Sequence, residues 1–303
     1  VPAYWRHRPR PVLYNSWEGC VFNFNHHRLL DLADRAKDLG CELFVLDDGW
    51  FGKRNDVKAG LGDYNVNKKK LPHGMEGLSK AIRAKGLQFG LWFEPEMVSP
   101  DSDLYRNHPD WCIHTENRPR TLGRRQLILD LTRPEVCDYI IDAVCTVLNS
   151  CPISYVKWDM NRNMTEFPRK GFAHQYVLGL YRVLDAITSR FPDILFESCS
   201  GGGGRFDAGM LYYMPQIWTS DDTDAVERLY IQEGTSLVYP LSSMGAHISA
   251  VPNHQTGRTT PVSFRGRVAM MGRFGLELDL NRLEQKELDE IKKEIVLYKT
   301  YQQ

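Results

Sequence analysis

The stretch HRLLDLADRAKDLGCELFVLDD, residues 27–48, decides the fold that the sequence predicts. Residues 27–39 place apolar side chains near every 3.6 positions, which is typical of an amphipathic helix, and Gly40 supplies a stop. Residues 41–48 form a short apolar run that ends in Asp47 and Asp48, which is typical of a buried strand. A helix that leads into a buried strand is the repeating unit of a parallel α/β sheet.

The same alternation continues along most of the chain. Strands are predicted at residues 12–17, 41–48, 89–96, 127–131, 153–159, 194–199, 216–221 and 242–249. Helices are predicted at residues 27–39, 77–85, 134–149, 173–191, 224–237 and 284–301. Eight strands interleaved with helices predict a closed (β/α)8 TIM barrel, because an open doubly wound sheet rarely needs eight strands. We expect residues 1–303 to form a single domain, with the barrel proper at about 10–275 and a C-terminal helix at about 284–301.

Composition excludes several classes of partner. The 303 residues contain 38 Lys and Arg against 38 Asp and Glu, so the formal net charge is zero. Nucleic-acid binders and polybasic membrane-surface proteins carry a basic excess, so neither partner is expected. No apolar stretch approaches the roughly 18 residues of a membrane span. The seven Cys lack CxxC spacing, which indicates reduced thiols and a cytoplasmic protein. Residue 1 is Val rather than an initiator Met, which indicates a fragment or a processed product.

Polar and aromatic residues concentrate where the predicted strands end. A barrel of this type carries its active site at that face. Acids buried there are costly unless they are paired, bind a metal or take part in chemistry. The residues at or just after the strand ends are Trp17, Asp47, Asp48, Trp92, Glu94, Glu96, Lys157, Asp159, Asn161, Arg162, Glu197, Cys199, Asp221 and Asp222.

Asp159 is a candidate nucleophile. Lys157 lies two residues before it, so both side chains point to the same side of the predicted strand. A cation in that position would keep the carboxyl of Asp159 ionised near neutral pH. The alternative interpretation is a Lys–Asp pair that only balances charge at the barrel mouth.

Asp221 and Asp222 end another predicted strand and are candidate proton donors. Crowded carboxylates raise one another's pKa, which suits a general acid. The spacing does not choose between the two. Asp224 is a candidate helix N-cap, and the whole cluster could serve only to cap that helix.

The pair Asp47 and Asp48 is suited to binding a sugar. Carboxylates accept paired hydrogen bonds from vicinal hydroxyls, and the side chains of Trp17, Trp50 and Trp92 offer apolar faces to sugar C–H surfaces. The alternatives are helix or loop capping for the acids and core packing for each tryptophan.

Residues 199–205 read CSGGGGR and form a glycine-rich segment. The run lacks the spacing of the known phosphate-binding loops. Its glycines would let the backbone approach a sugar closely, and a flexible loop is the alternative.

Magnesium is the alternative ligand for the acids at the strand ends. His247 and His254 could add nitrogen ligands, but their spacing matches no recognised metal motif. The candidate oxygen ligands are Asp47, Glu94, Glu96 and Asp159.

Five motifs, in this order, extend over nearly the whole chain. They are LDDGW at 46–50, WFEPEM at 92–97, KWDMNR at 157–162, ESCSGGGGRFD at 197–207 and WTSDDTD at 218–224. Together they resemble the motifs of glycoside hydrolase family 36 α-galactosidases. Their order and number make the match far more specific than any single motif.

The resemblance implies a retaining exo-α-galactosidase that removes terminal α-linked galactose from oligosaccharides such as melibiose, raffinose and stachyose. Asp159 matches the family's nucleophile, and Asp221 matches its acid/base. Asp47 and Asp48 match residues that bind the galactose 4- and 6-hydroxyls. No metal or other cofactor is implied. The other matching substrate-binding positions are Trp17, Trp92, Arg124, Lys157, Cys199 and Gly202, the last two of them near the 2-hydroxyl.

The resemblance also implies a larger protein. Similar family members carry an N-terminal and a C-terminal β-domain around the catalytic domain, and this sequence contains neither. The N-terminal domain contributes to a homotetramer, so an oligomer is expected if the flanking domains are present. Three other functions stay open: an α-N-acetylgalactosaminidase on the same fold, a magnesium-dependent barrel lyase, and a sugar-binding barrel without catalytic activity.

Overall fold

A closed parallel barrel dominates the computed structural model, which describes residues 3–5 and 8–302. Each of its strands pairs with the next one along the chain, and the last pairs with the first. The fold class predicted from the sequence is confirmed. The strands are β1 (Leu13–Asn15), β2 (Leu43–Leu46), β3 (Gln88–Phe93), β4 (Tyr155–Trp158), β5 (Leu195–Ser198), β6 (Gln216–Trp218), β7 (Met244–Ser249) and β8 (Arg273–Glu277).

A helix follows each strand and packs outside the barrel. Gly40, with φ at 102°, ends the first helix, and the side chain of Asp224 caps the sixth by accepting from the backbone N of Val226. The helices are α1 (His26–Leu39), α2 (Gly74–Ala84), α3 (Pro134–Ser150), α4 (Phe172–Arg190), α5 (Ala208–Tyr213), α6 (Ala225–Ser236), α7 (Val262–Ala269) and α8 (Gln285–Tyr301). Short additional helices lie at Trp17–Cys20 and Asp103–Asn107.

Two features of the barrel differ from the prediction. Residues 127–131 do not form a barrel strand. Instead Leu127–Ile128 pairs antiparallel with Met97–Val98 outside the barrel. The strand that completes the barrel is β8, which the sequence did not reveal, and it closes the sheet with Leu13 opposite Gly275. The local apolar run at 127–131 resembles a barrel strand, but its partner lies in the preceding loop.

The core fills the barrel and the layer between strands and helices. All four residues of β2 are fully buried, as expected for a strand covered on both faces. The part of the chain that the structure describes contains no helix long and apolar enough to cross a membrane. All seven cysteines are buried and unpaired.

Long loops follow β2 and β3 at the carboxyl end of the barrel. The loop after β2 spans residues 47–73, and the one after β3 spans residues 94–133. The antiparallel pair of Met97–Val98 with Leu127–Ile128 fixes the second loop against the barrel. These loops, together with the ends of the other strands, build the walls of a cavity.

Candidate active site

A cavity of about 190 Å³ opens at the carboxyl ends of the strands. It brings together eight of the ten residues that the sequence indicated as catalytic or substrate-binding. Those eight are Trp17, Asp47, Asp48, Trp92, Arg124, Lys157, Asp159 and Asp221. The face expected of a barrel enzyme is therefore the face on which these side chains meet.

Asp159 is buried and accepts four hydrogen bonds. Its Oδ2 accepts from Trp92 Nε1 at 3.1 Å and from Asn161 Nδ2 at 2.7 Å. Its Oδ1 accepts from the backbone N of Met160 at 2.8 Å and of Gly201 at 3.4 Å. Four donors shared between two oxygens fix the direction in which the carboxylate points.

Lys157 forms its ion pair with Asp47 rather than with Asp159. Its Nζ lies 3.0 Å from Asp47 Oδ2, which also accepts from Asn15 Nδ2 at 2.8 Å. The long side chain crosses to the end of a different strand instead of pairing with the acid two residues away. Burial opposes the charge of Lys157, but the surrounding acids, Asp47 foremost, raise its pKa well above the ordinary value.

Asp48 lies beside Asp47 and is held by Arg54. The guanidinium donates from Nη2 at 2.8 Å and from Nε at 3.0 Å to the carboxylate, and both side chains are buried. A two-pronged contact of this kind fixes the orientation of the acid and offsets the cost of burying its charge. The Asp47–Asp48 pair thus presents two oriented carboxylates to the cavity.

Asp221 reaches the cavity from the end of β6. Trp218 Nε1 donates to its Oδ1 at 3.1 Å. Asp221 is an exposed residue that lines the cavity. Burial, followed by the charge of Asp159, raises the pKa of Asp221 above its ordinary value. A carboxyl that keeps its proton beside an ionised partner can serve as a general acid.

A tight turn at residues 123–126 carries Arg124 to the cavity. The backbones of Gly123 and Gln126 exchange hydrogen bonds of 3.2 and 2.8 Å, and both central residues, Arg124 and Arg125, have positive φ of 48° and 61°. This is the geometry of a two-residue hairpin turn, which usually takes Asn or Gly in the centre. The turn is strained and holds a cation at the rim.

The family profile described as Melibiase matches residues 1–303, the full chain. The chain belongs to the melibiase family. The match agrees with the resemblance to glycoside hydrolase family 36 that the five motifs indicated, and relatives from that family confirm it.

The curated relatives of this chain include α-galactosidases. AgaA of Geobacillus stearothermophilus is 60% identical over 303 residues, which cover 97% of this chain and 42% of the relative. Mel36A of Lactobacillus acidophilus is 51% identical over 298 residues, which cover 96% of this chain and 41% of the relative. The chain thus spans less than half the length of these curated relatives.

Solved structures agree with the sequence relatives. The crystal structure of family 36 α-galactosidase AgaA matches with a TM-score of 0.97 and 60% identity, over 99% of this chain and 43% of that one. AgaA variants have been solved in complex with raffinose and with stachyose.

Two predicted substrate-binding residues, Cys199 and Gly202, are not among the residues that line the cavity. Cys199 is fully buried, and burial raises the pKa of its thiol well above the ordinary value. Gly202 has a positive φ of 83° and packs against the backbone of Ser220 and Asp221. A Cβ on Gly202 would lie 2.7 Å from both the Cα of Ser220 and the N of Asp221. Gly202 therefore supports the backbone of the candidate acid.

Gly202→Ala is expected to lower kcat/KM by about 10²-fold, because a small displacement of a reacting group is costly to catalysis. The methyl group would push the backbone of Asp221, and the positive φ adds about 1–2 kcal/mol of strain. Steady-state kinetics and thermal unfolding of the purified variant measure both effects.

Gly171→Ala is the matched control. Gly171 precedes α4 with φ at 76°, and a Cβ there would meet nothing within 4 Å. It carries the same backbone strain without touching the cavity, so its kcat/KM should stay near that of the parent. Equal losses of activity in the two variants would show that strain alone, rather than displacement of Asp221, is responsible.

Two roles considered from the sequence are not supported: a sugar-binding face for Trp50 and a magnesium ligand for Glu96. Trp50 is fully buried and donates to the backbone O of Trp92, so it belongs to the core rather than to a sugar-binding face. Glu96 accepts from Arg205 at 2.8 and 3.0 Å, and also from Trp158 and Tyr176, so its oxygens are already occupied. Within residues 3–5 and 8–302, no three His, Cys, Asp or Glu side chains group as metal ligands.

Several cavity residues escaped the sequence analysis. Glu18 is largely buried and accepts from Thr223 Oγ1 at 2.8 Å. Burial and the charge of Glu277 raise the pKa of Glu18 to about 8. Glu277 ends the strand that was not predicted, and its Oε2 contacts His247 at 2.8 Å. In the sequence, only its position directly after Trp17 could have pointed to Glu18 as a cavity residue. The other lining residues are Asn161 and His254, which the sequence analysis named without assigning them to the sugar site, and Glu18, Trp218, Thr223, Gln255 and Glu277.

Proposed function

We propose that this chain is the catalytic barrel of a retaining exo-α-galactosidase. One observation carries the proposal. The carboxylate of Asp159 is fixed by four donors in the same cavity as Asp221, whose pKa is raised. An oriented carboxylate and an acid that keeps its proton are what double displacement at a sugar requires.

In the first step, an Oδ of Asp159 attacks the anomeric carbon of the sugar. The glycosidic C–O bond breaks, and the leaving oxygen takes the proton of Asp221. A covalent glycosyl ester on Asp159 results. Retention requires the two carboxyls to be about 5–5.5 Å apart, and Asp159 and Asp221 line the same cavity.

In the second step, the carboxylate of Asp221 removes a proton from a water molecule. The water oxygen attacks the anomeric carbon, the ester bond to Asp159 breaks, and the free sugar leaves with the starting configuration. The raised pKa of Asp221 suits both roles, because the same group must give a proton and then take one.

The proposed sugar is galactose. Asp47 and Asp48 are oriented by Lys157 and Arg54, and such fixed carboxylates can accept paired hydrogen bonds from the 4- and 6-hydroxyls. The axial 4-hydroxyl distinguishes galactose from glucose, so this pair would set specificity. We propose that Cys199 and Gly202 border the 2-hydroxyl.

The remaining cavity residues support an oligosaccharide substrate. Trp17, Trp92 and Trp218 offer apolar surface, and Arg124 offers a cation at the rim. Because AgaA binds raffinose and stachyose, we propose melibiose, raffinose and stachyose as substrates. The unpaired buried cysteines support a reducing cytoplasm, and the whole protein is proposed to be a homotetramer.

Parallel assays of two aryl glycosides test the proposed function. We expect kcat/KM for the aryl α-galactoside to exceed that for the aryl α-N-acetylgalactosaminide by at least about 10²-fold, because the extra acetamido group must be accommodated near the 2-position. NMR of the first product should show the α-anomer. The reverse preference would establish the N-acetylgalactosaminidase, an initial β-anomer would refute retention, and loss of activity with EDTA would support a metal-dependent enzyme.

A further inference from the structure

A second buried carboxylate lies behind the nucleophile. Glu94 follows β3 directly, is fully buried, and is not among the cavity-lining residues. One oxygen, Oε1, accepts from the backbone N of Asn161, and the other, Oε2, accepts from Gln126 Nε2 at 3.1 Å. Glu94 therefore does not contact a sugar in the cavity, and the proposed reaction gives it no role.

Asn161 connects Glu94 to the nucleophile. Its backbone N is bound by Glu94, while its side-chain Nδ2 donates to Oδ2 of Asp159 at 2.7 Å. The position of Glu94 thus fixes the backbone of the residue that orients the reacting carboxylate. A displacement of Glu94 would pass to Asp159 through this single residue.

Among the charged groups of the described residues that face Glu94, the one cation, Arg54, is hydrogen-bonded to other groups. Asp159 faces it from the end of β4, and Asp48, Arg54 and Tyr64 face it from the loop after β2. Arg54 directs its hydrogen bonds to Asp48 and to the backbone O of Ala59. An ionised Glu94 would be a buried charge beside the ionised Asp159, which is costly.

Arg162 also lies nearby but is bound elsewhere. It donates to the backbone oxygens of Thr121, Asn163 and Gln126 and to Thr165 Oγ1. Burial and the charge of Asp159 raise the pKa of Glu94 to about 8.

Gln126 is the hydrogen-bond partner of the second Glu94 oxygen. Its Oε1 is buried and has no hydrogen-bond partner, although its Nε2 donates to Glu94. The orientation of a glutamine amide is assigned from its hydrogen bonds. If Glu94 is protonated, the amide can turn over so that Oε1 accepts a hydrogen bond from the carboxyl, and Nε2 then takes the unpaired position. The site is therefore able to satisfy a protonated Glu94.

We propose that Glu94 is a positioning residue that carries the one proton of the Glu94–Asp159 pair and fixes Asn161, so that the nucleophile stays ionised and aligned. This inference rests on the proposed role of Asp159 as nucleophile. It adds a residue that acts through Asn161 and never contacts the substrate.

Comparison of Glu94→Gln with Glu94→Ala tests the proposal. Glutamine keeps an acceptor for Asn161 and is neutral, so its kcat/KM should fall less than about tenfold. Alanine removes the acceptor, so kcat should fall by about 10²-fold with a smaller change in KM. The acid limb of kcat/KM, which reports protonation of Asp159, should not move in Glu94→Gln, because a neutral group replaces a neutral group.

Infrared difference spectra provide a readout that does not depend on turnover. At pH 6 the wild-type spectrum minus the Glu94→Gln spectrum should contain the carbonyl stretch of one protonated carboxylic acid, because Glu18, whose pKa is also raised to about 8, is present in both proteins and cancels. The matched control is Glu96→Gln, at an equally buried glutamate that forms an ion pair with Arg205. It should leave that band unchanged and lower the melting temperature by about 5 °C or more, because Arg205 loses its counter-charge.

Two results would overturn the role of Glu94. A downward shift of the acid limb by about one pH unit in Glu94→Gln would mean that wild-type Glu94 is ionised, because the variant would then have lost a negative charge beside Asp159. A missing infrared band would mean the same. If the band is present but no α-galactoside is cleaved, the proposed function fails while the protonated Glu94 stands.

Discussion

Asp159→Ala is expected to lower kcat for an activated aryl α-galactoside by at least about 10⁴-fold. The variant lacks the oxygen that would form the bond to the anomeric carbon. Trp92, Asn161 and two backbone N–H groups then face a space left by the carboxylate. Water can satisfy these donors because the cavity is open at the mouth, so the fold should persist. Steady-state kinetics and thermal unfolding of the purified variant measure both quantities.

Azide rescue completes this experiment. Azide fits where the carboxylate was and attacks the anomeric carbon from the same side, so the product should be β-galactosyl azide. Wild-type protein, in which Asp159 blocks that path, should not form it. Unchanged turnover by a folded Asp159→Ala variant would refute the nucleophile assignment. Persistent sugar binding without turnover in the wild-type protein would point to the non-catalytic sugar-binding barrel.

Asp221→Asn should affect substrates according to their leaving groups. Raffinose has a poor leaving group that needs a proton, so kcat/KM should fall by about 10³–10⁴-fold. An aryl galactoside with a strongly acidic phenol needs no proton, so its kcat/KM should fall less than about tenfold. The deacylation step still lacks its base, so kcat for the activated substrate should be low and a burst of phenol should appear.

The pH profile checks the same group in the wild-type protein. Asp221 must be protonated in the first step, and its raised pKa extends the protonated form above the ordinary range of Asp. Activity on raffinose should therefore fall as pH rises through that raised value. The loss should occur on the alkaline limb of the pH–activity profile. Asp222→Asn is the matched control, since Asp222 is adjacent but does not line the cavity. Equal effects of the two substitutions would contradict the choice of Asp221.

Much of the barrel was predictable because helical and strand periodicities are local properties. The stop at Gly40 and the start of α3 at Pro134 fall where the residue types require them. The same locality explains the two errors. Residues 127–131 have the composition of a buried strand, but only the tertiary structure pairs them with Met97–Val98. Glycines interrupt the apolar pattern of β8, and Gly275 is needed because a Cβ there would lie 2.6 Å from the ring of His247.

The site was predictable as a set of residues but not as a set of contacts. Acids at strand ends are visible in the sequence, because parallel strands bring their carboxyl ends to one face. The partner of each side chain is not visible. Lys157 pairs with Asp47 rather than with Asp159, and Gly202 lies against the backbone of Asp221. Such choices depend on distances across the barrel, which no spacing along one strand specifies.

The closure of β1 against β8 has a consequence for how the protein is made. Leu13 pairs with Gly275 and Tyr14 with Leu276, so the barrel is complete only when its first and last strands meet. A nascent chain that has just emerged past Asp221 already contains both catalytic acids, yet its sheet still has two unpaired edges. We therefore expect turnover only after Glu277 has left the ribosome and β8 has paired with β1. A message shortened before β8 would still encode all five motifs, but its product should lack the closed barrel on which the proposed cavity depends.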